Sequence, residues 1–391
     1  MNKQLGATMI VAGTCIGAGV IALPLTLATL GILWSFALML CVWIVTYYSA
    51  LINLELVLQA KKPLNIGKLG MLYSGRVASV IGTSTLNGLM FALMAAYIYG
   101  IASLVCNLTP ALSQKMITIA AAAFAYLFLI LPVQKVDAAN RVLFTCMLVV
   151  AGILVFALAS SVNFSKVNLI SSQIDRLPSW IGVSPVIFTS FGFQVLFHTL
   201  SEYCDMNAKV LKKVFFVGSL IPLIIYSIWT CSVLYVIYTN DSAFYLNIVQ
   251  GKVEIGKLIQ KLSAISNAKY LQGVVWVVSF LAVITSTIGV GLGLCDSLKQ
   301  YIGAERTKAA AAIAIVPPCL IALAVPNAFI ALLGCAGMIL SVLAILLPLY
   351  LLVKASFATP FYKATSKTTL LVGAGLFGLA IIFCELWNMM I

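Results

Sequence analysis

Charge is scarce in this sequence. Only 8% of the 391 residues are charged and 63% are hydrophobic, whereas about 25% of the residues in a soluble domain are charged. A water-exposed surface on a chain of this length would need many more charged side chains, while helices that face lipid need almost none. The composition therefore excludes a soluble globular protein and predicts an integral membrane protein.

Metal ligands and common catalytic motifs are equally scarce. The chain has one histidine, and its ten cysteines form no CxxC pair. An HExxH motif is absent, so an intramembrane enzyme would have little from which to build its active site. We expect no metal, no cofactor and no enzymatic activity, and we interpret the cysteines as free, mostly buried thiols.

The formal charge of +13 is distributed over short basic clusters between long apolar runs. This distribution predicts membrane topology rather than a nucleic-acid partner. If the N-terminus is cytoplasmic, most of the 23 Lys and Arg lie in cytoplasmic loops. The positive-inside rule thus favours a cytoplasmic N-terminus and a C-terminus on the opposite side. We expect the first apolar run to be a span and not a cleaved signal peptide.

Eleven apolar segments are long enough to cross the bilayer. They cover residues 5–30, 32–58, 77–107, 113–132, 138–160, 181–200, 211–239, 270–298, 309–325, 327–353 and 368–390. We predict an all-α integral membrane protein that forms one transmembrane domain over residues 1–391. Between two of the spans, residues 244–265 include an amphipathic helix, which we interpret as a surface helix or a lid.

Glycine and proline interrupt two of these segments. Gly13, Gly17 and Gly19 fall within seven residues of the first segment, and the sixth contains Pro185 and Gly192. Each glycine destabilises a helix by about 1 kcal/mol relative to alanine. Interrupted helices at corresponding positions of two halves are typical of inverted-repeat transporters. The alternative is a GxxxG helix-packing face at Gly13 and Gly17.

This pattern predicts a five-plus-five organisation. Residues 5–160 form the first repeat, residues 181–353 form the second, and residues 368–390 add an eleventh helix. Since five is odd, the second repeat must enter the membrane from the side opposite to the first. Helices 1 and 6 are then discontinuous and meet near the middle of the membrane.

An unwound segment within the membrane exposes backbone N–H and C=O groups that need partners. The free N-terminus of a half-helix beginning near Gly17 favours a carboxylate, and carbonyl groups at the other half-helix ends favour an ammonium. A ligand with both charges fits such a site. The expected substrate is therefore an amino acid. A channel is a more distant alternative, because no filter motif is present.

Several motifs in this order resemble the hydroxy and aromatic amino acid permease family, in particular its bacterial tyrosine-specific members. The resemblance extends over nearly the whole chain. It rests on Ala12-Gly13-Thr14, Ile16-Gly17-Ala18-Gly19, Ala95-Ala96-Tyr97-Ile98, the run from Pro185 to Phe193, and Thr285-Ser286 before Asp296.

The resemblance implies a leucine-transporter-type fold and proton-coupled import of an aromatic amino acid, with tyrosine favoured. It also implies alternating access and a place in the bacterial inner membrane. Substrate, proton and lipid bilayer are then the expected partners. A sodium-coupled symporter, or an exchanger of tryptophan or another neutral amino acid, stays open as an alternative.

Site residues follow from the matching motifs. The expected substrate-binding residues are Thr14, Cys15, Gly17, Ala18 and Gly19 for the carboxylate, Phe188, Ser190, Gly192 and Phe193 for the ammonium and ring, and Tyr97, Gln194 and Ser286 as further polar or aromatic contacts. The expected coupling or gating residues are Gly13, Ile16, Thr285, Ser286, His198 and Asp296.

One departure from the family pattern lies in the sixth segment. Gln194 and Val195 stand where the family usually has His-Gly, and the single histidine, His198, follows one helical turn later. His198 is an intramembrane ionisable group, or alternatively a helix-end residue paired with Glu202. Asp296 has the corresponding alternative of an ordinary helix-end charge next to Lys299.

Overall fold

The computed structural model describes residues 3–109, 111–159, 177–265, 269–303, 305–325, 328–357 and 359–390. Within these ranges every regular element is helical. The α-helices are α1 (Lys3–Cys15), α2 (Ala18–Leu27), α3 (Gly31–Gln59), α4 (Ile66–Ser74), α5 (Arg76–Leu108), α6 (Gln114–Leu129), α7 (Val133–Ala159), α8 (Leu177–Ser190), α9 (Phe197–Tyr203), α10 (Ala208–Asn240), α11 (Ser242–Val249), α12 (Ile255–Ile265), α13 (Lys269–Ile302), α14 (Thr307–Ala324), α15 (Ala328–Ser341), α16 (Leu347–Ala355) and α17 (Thr368–Met390).

Eight helical stretches in the described ranges are long and apolar enough to cross a membrane. The pair α1 and α2, bent by 47° at its break, forms a further span, and α6 and the central part of α7 are shorter apolar helices. Together they correspond to the eleven segments predicted from the sequence. The predicted all-α membrane fold is confirmed.

Both predicted helix interruptions are present. α1 ends at Cys15 and α2 begins at Ala18, with Gly17 at non-helical angles of φ −136° and ψ −125°. α8 ends at Ser190, and a 3₁₀ turn over Gln194–Leu196 precedes α9. Each span therefore consists of two helical pieces joined by a few residues of irregular backbone.

The helices around the breaks pack into two groups. In the first group α10 contacts α1, α2 and α3, and α8 contacts α2 and α3. α5, α6, α13 and α14 form a second, mutually packed group. α7 lies between α10 and α13, and α15 packs on α5, α8 and α17. Both interrupted spans therefore belong to the first group, and α2 of span 1 also contacts α13 of the second group.

The amphipathic helix predicted within residues 244–265 corresponds to α12. Its apolar residues Ile255, Leu258, Ile259 and Leu262 are buried, and α12 packs on α2, α5, α10 and α13. The apolar face thus covers protein, as a lid would, rather than lying on lipid.

An ion pair connects α12 to the start of α11. The carboxylate of Asp241 accepts a hydrogen bond from Phe244 N at 2.9 Å and pairs with Lys261 at 2.5 Å. The hydrogen bond from Lys261 is the main cause that lowers the pKa of Asp241, and the Phe244 amide adds to it. The Tyr245 hydroxyl donates to Ala28 O at 2.8 Å and ties α11 to the end of α2.

Glu55, near the end of α3, is buried and anchors the loop between α16 and α17. Its carboxylate accepts the backbone N–H groups of Phe361 and Tyr362, both at 3.0 Å. Gln59 donates a third hydrogen bond at 2.9 Å. Several hydrogen-bond donors therefore satisfy the oxygens of this buried carboxyl group.

All ten cysteines are free thiols, as expected. The expectation that most are buried is wrong, because only Cys15, Cys204 and Cys295 are buried. The others lie partly or fully on the outside of the helix bundle. A thiol is apolar enough to face lipid, so exposure in a membrane protein needs no compensation.

Candidate functional site

Tyr226 of α10 joins the two helix breaks. Its hydroxyl lies 2.5 Å from the carbonyl oxygen of Cys15, the last residue of α1, and 3.1 Å from that of Ser190, the last residue of α8. A single O–H can donate to either carbonyl, and its residue is fully buried. One phenolic hydroxyl therefore lies within hydrogen-bond distance of the last carbonyl of both α1 and α8. The breaks of spans 1 and 6 thus lie next to each other.

The break in span 1 leaves backbone groups without helical partners. Gly17 N bonds to Cys15 O at 2.8 Å instead of to Gly13 O, four residues back as a helix requires. Val20 N reaches Gly17 O at 3.2 Å, and helix geometry leaves the two preceding amides, at the N-terminus of α2, without intrahelical acceptors. Free N–H groups at a helix N-terminus favour an anion.

Gly17 and Gly19 allow two close approaches at this break. A Cβ added at Gly17 would collide with the Ser286 hydroxyl of α13, which lies near the Tyr97 hydroxyl of α5. A Cβ added at Gly19 would lie 2.8 Å from the Ser190 Oγ. The glycines thus bring span 1 against span 8 on one side and span 6 on the other.

The structure separates the expected aromatic residues. Phe188 points toward α17, where its ring packs edge-on against Phe377 at 5.9 Å. Phe193 belongs to a cluster with Phe215 and Cys15. The aromatic ring that lies at the two breaks is Phe191, edge-on to Tyr226 at 5.6 Å.

Gln194 has an unusual environment. It is 6% exposed, and neither its Oε1 nor its Nε2 has a hydrogen-bond partner among the described residues. An unpaired buried amide is unfavourable by a few kcal/mol in a protein interior. Gln194 lies at the start of the 3₁₀ turn that follows the break in span 6.

Three predicted site residues lie at the periphery. Thr14 is exposed, and its hydroxyl donates to Ile10 O of the same helix at 2.8 Å. His198 is exposed and lies next to the Thr199 hydroxyl. Asp296 is 61% exposed and pairs with Lys299 at 3.4 Å, which is the helix-end arrangement.

The hydroxyls of Thr285 and Ser286 donate to carbonyls of their own helix at 2.8 Å each. Thr285 is also 3.9 Å from the Met147 sulfur. No group of three His, Cys, Asp or Glu side chains suited to a metal is present in the described ranges. Ile16, another of the expected coupling residues, lines a cavity.

That cavity adjoins the break in span 1 and has a volume of about 100 Å³. Its walls are mostly apolar and come from α7, α10, α13 and the break itself; they include Ile16, Val20, Met147, Trp229 and Ala282. Binding sites for small molecules usually have about 300–1,000 Å³. An amino acid of aromatic size therefore requires the surrounding helices to move apart.

Sequence reasoning missed Tyr226 and Trp229. The Trp229 indole N–H donates to Val20 O in α2 at 2.6 Å. The available signal is their spacing, since residues three apart lie on one face of a helix and both carry a polar atom on a large apolar body. In α10 they form the face that holds the irregular backbone of spans 1 and 6.

Comparison with known proteins gives one family match. The profile of the tryptophan/tyrosine permease family matches residues 1–390. Tyrosine-specific transport system 1 of Haemophilus influenzae is 34% identical over 91% of this chain and 89% of its own length. Glutamine transporter 2 of Aliivibrio fischeri is 28% identical, over 90% and 89% of the two chains. A tryptophan-specific transport protein of Pseudomonas aeruginosa is 27% identical, over 96% and 92%. These relatives are transport proteins, which at the family level supports the expectation of a protein that is not an enzyme.

Replacing Tyr226 with Phe tests the bridge between the breaks. The substitution leaves two buried carbonyls without this donor, and we expect a loss of stability of about 1–3 kcal/mol together with at least a tenfold loss of uptake. Thermal unfolding of the purified protein and uptake in vesicles measure the two effects. Tyr235→Phe, about 13 Å along the same helix, is the matched control and should change neither. Wild-type uptake by Tyr226→Phe would contradict the bridging role.

Gly17→Ala tests the close approach of span 1 to α13. We expect a strong loss of uptake, because the added methyl collides with the Ser286 hydroxyl. Removing that hydroxyl should relieve the collision. The double variant Gly17→Ala, Ser286→Ala should therefore regain the uptake of Ser286→Ala alone. A double variant no better than Gly17→Ala would show that the glycine is needed for another reason.

Proposed function

The chain belongs to the tryptophan/tyrosine permease family, and on this basis we propose that it imports an aromatic amino acid, tyrosine first, together with a proton. The preference for tyrosine is supported by the 34% identity to a tyrosine-specific transport system. The observation that carries the proposal is the meeting of two broken helices at Tyr226.

In this proposal the substrate is held mainly by backbone groups. Its carboxylate accepts hydrogen bonds from the free amides of Ala18 and Gly19, where the dipole of α2 favours negative charge. Its ammonium lies near carbonyls of the irregular segments, including that of Gly13. Backbone recognition of both charges selects an α-amino acid and leaves the choice of side chain to other residues.

The aromatic side chain is proposed to bind between spans 1, 3, 6 and 8. Tyr97 and Ser286 already contact each other beside Gly17, and Phe191 offers a ring at the break. The unpaired amide of Gln194 is a suitable partner for a phenolic hydroxyl. A site built to hydrogen-bond a hydroxyl rejects the analogue that lacks it, because the buried polar group is then left unpaired.

Transport is proposed to follow alternating access. The α1, α2, α3, α8 and α10 group would move against the α5, α6, α13 and α14 group. The two groups are the first two and the next two spans of the predicted repeats 5–160 and 181–353, which supports an inverted repeat. The cavity of about 100 Å³ at the break is where the groups would separate.

A proton can supply enough energy for accumulation. One charge crossing about 100 mV provides about 2.3 kcal/mol, and each unit of pH difference adds about 1.4 kcal/mol. Together these support a substrate gradient of several hundredfold. In the proposed topology the N-terminus is in the cytoplasm of a bacterial cell and the C-terminus is outside its inner membrane, following the distribution of Lys and Arg.

Uptake in proteoliposomes tests this function. We expect accumulation of labelled tyrosine driven by an inward proton gradient, abolished by a protonophore, and unchanged by sodium. Unlabelled tyrosine should compete best, then tryptophan and phenylalanine. Accumulation that needs sodium would contradict the proposal and indicate a sodium symporter. Accumulation that proceeds only in exchange for a substrate on the other side would indicate an exchanger.

A neutral amino acid such as glutamine is the second candidate, favoured by the relative named for glutamine transport. Glutamine as the strongest competitor in the same assay would support it. The labelled compound should be recovered unchanged, as expected of a carrier.

Gln194→Leu tests the choice of side chain. We expect the apparent affinity for tyrosine to fall about tenfold more than that for phenylalanine, because only tyrosine loses a hydrogen bond. Competition by the two amino acids measures the change. Gln114→Leu, at another glutamine with an unpaired amide nitrogen but at the start of α6, is the control. An equal change in apparent affinity for both amino acids would show that Gln194 does not recognise the phenolic hydroxyl.

A further inference from the structure

Glu385 of α17 is a buried acid that the mechanism above leaves unused. It is 4% exposed, and its carboxyl group lies against Gly334 of α15, where an added Cβ would collide with it. Its hydrogen-bond partners are the Cys335 thiol and the Asn388 amide at 3.4 Å. The site is therefore a small space between two spans, made by the absence of a side chain at Gly334.

Among the residues that the structure describes, the surroundings of Glu385 offer no positive charge. α17 packs on α3, α8, α15, the π-helical turn Val342–Leu346 and the 3₁₀ turn Lys363–Ser366. α8 and the π-helical turn contain no titratable residue, and α15 contains only Cys335. Cys384 is the neighbour on α17 itself. Lys363 precedes the start of α17, which lies about 26 Å along the helix from Glu385.

α3 contributes no cation either. Its titratable residues are Cys41, Tyr47, Tyr48 and Glu55. Glu55 and Tyr48 bind the loop before α17, at the opposite end of that helix, and Tyr47 stacks on Trp43. Cys41 is exposed. No ion pair of Glu385 occurs in the described part of the chain.

A buried carboxylate without a cation is strongly disfavoured relative to its neutral form. Glu55 shows the contrast, because backbone N–H donors surround its carboxylate. Glu385 has one amide and one thiol, which is a weak donor. The packing of Glu385 in this structure is therefore that of the protonated acid, and loss of the proton would favour movement of the carboxylate toward water.

Glu385 has a short route to the surface. Asn388 is exposed and lies one helical turn farther along α17, on the face of the membrane that is external in the proposed topology. Its amide also lies 3.5 Å from Gly182 O of α8. The same exposed side chain thus contacts the acid and the first half of span 6.

A second connection leads from Glu385 to the break in span 6. Leu333 precedes Gly334 in α15, and its carbonyl accepts the Thr189 hydroxyl of α8 at 2.8 Å. Thr189 is the residue before Ser190, where α8 ends. The turn of α15 that contacts the acid therefore also holds the end of the broken helix.

We propose that Glu385 binds the transported proton from the outer face, and that its protonation stabilises the packing of α8 and α15 on α17. The proposal rests on the proton coupling of the proposed function. It places the coupling site in the eleventh helix, outside both predicted repeats. The proton forms an O–H bond with the Glu385 carboxylate on the outer side, and that bond breaks when the proton is released to the cytoplasmic side; no other covalent bond changes.

The test uses the full-length carrier and its Glu385→Gln variant in proteoliposomes. Gln keeps the size of the side chain and imitates the neutral acid. We expect tyrosine counterflow, which needs no gradient, within twofold of wild type, and accumulation driven by a proton gradient reduced at least tenfold. Glu305→Gln, at an acid that is 78% exposed, makes the same chemical change and should accumulate tyrosine as the wild type does.

The possible outcomes separate the two proposals. A wild-type carrier that ignores the proton gradient overturns proton coupling itself. A responsive wild type with an equally responsive Glu385→Gln variant overturns only the role of Glu385. If Glu385→Gln shows no counterflow, Glu385→Asp is the second test. Asp keeps a carboxyl group but places it at altered distances from its neighbours. The variant should therefore still accumulate tyrosine, with a shifted pH dependence of accumulation. An unchanged pH dependence would overturn the proposal.

Discussion

The need to satisfy backbone groups inside the membrane is the constraint on which this structure depends. A span that unwinds exposes N–H and C=O groups that lipid cannot solvate. Here the Tyr226 hydroxyl and the Trp229 indole, from one face of α10, supply donors to carbonyls of both interrupted spans. The breaks are thereby stabilised where protein provides a partner, whereas helix geometry gives the amides at the start of α2 no intrahelical acceptor. The function proposed above uses these remaining groups.

The packing around the breaks explains why glycine occurs there. Gly17 and Gly19 lie so close to Ser286 and Ser190 that a methyl group would collide with their hydroxyls. Such contacts bring backbone and small polar side chains of three spans to one place, and polar groups near the middle of a membrane are typical of transporter sites. The apolar cavity beside Ile16 gives this region the space from which a larger site could open.

Much of the fold could be predicted because the membrane imposes simple rules. Apolar segment length identified the spans, and the glycines of the first segment identified a break at Gly17, since both signals are local in the sequence. The packing partners could not be predicted in the same way. Phe188 and Phe193 share a motif with Ser190, but the turn after Ser190 directs one ring toward Phe377 and the other into a separate cluster. Tyr226 lies 36 residues beyond Ser190, and no local pattern links the two. The unpaired state of Gln194 and the burial of Glu385 also depend on helices distant in sequence.

A structure of the protein in a lipid nanodisc with bound tyrosine would test most directly whether the two broken helices form the binding site. Ligand density is predicted between residues 13–19 and 190–194, with its carboxylate about 2.7–3.2 Å from the amides of Ala18 and Gly19. Tyrosine bound elsewhere, with these amides still unoccupied, would contradict the central role of the breaks.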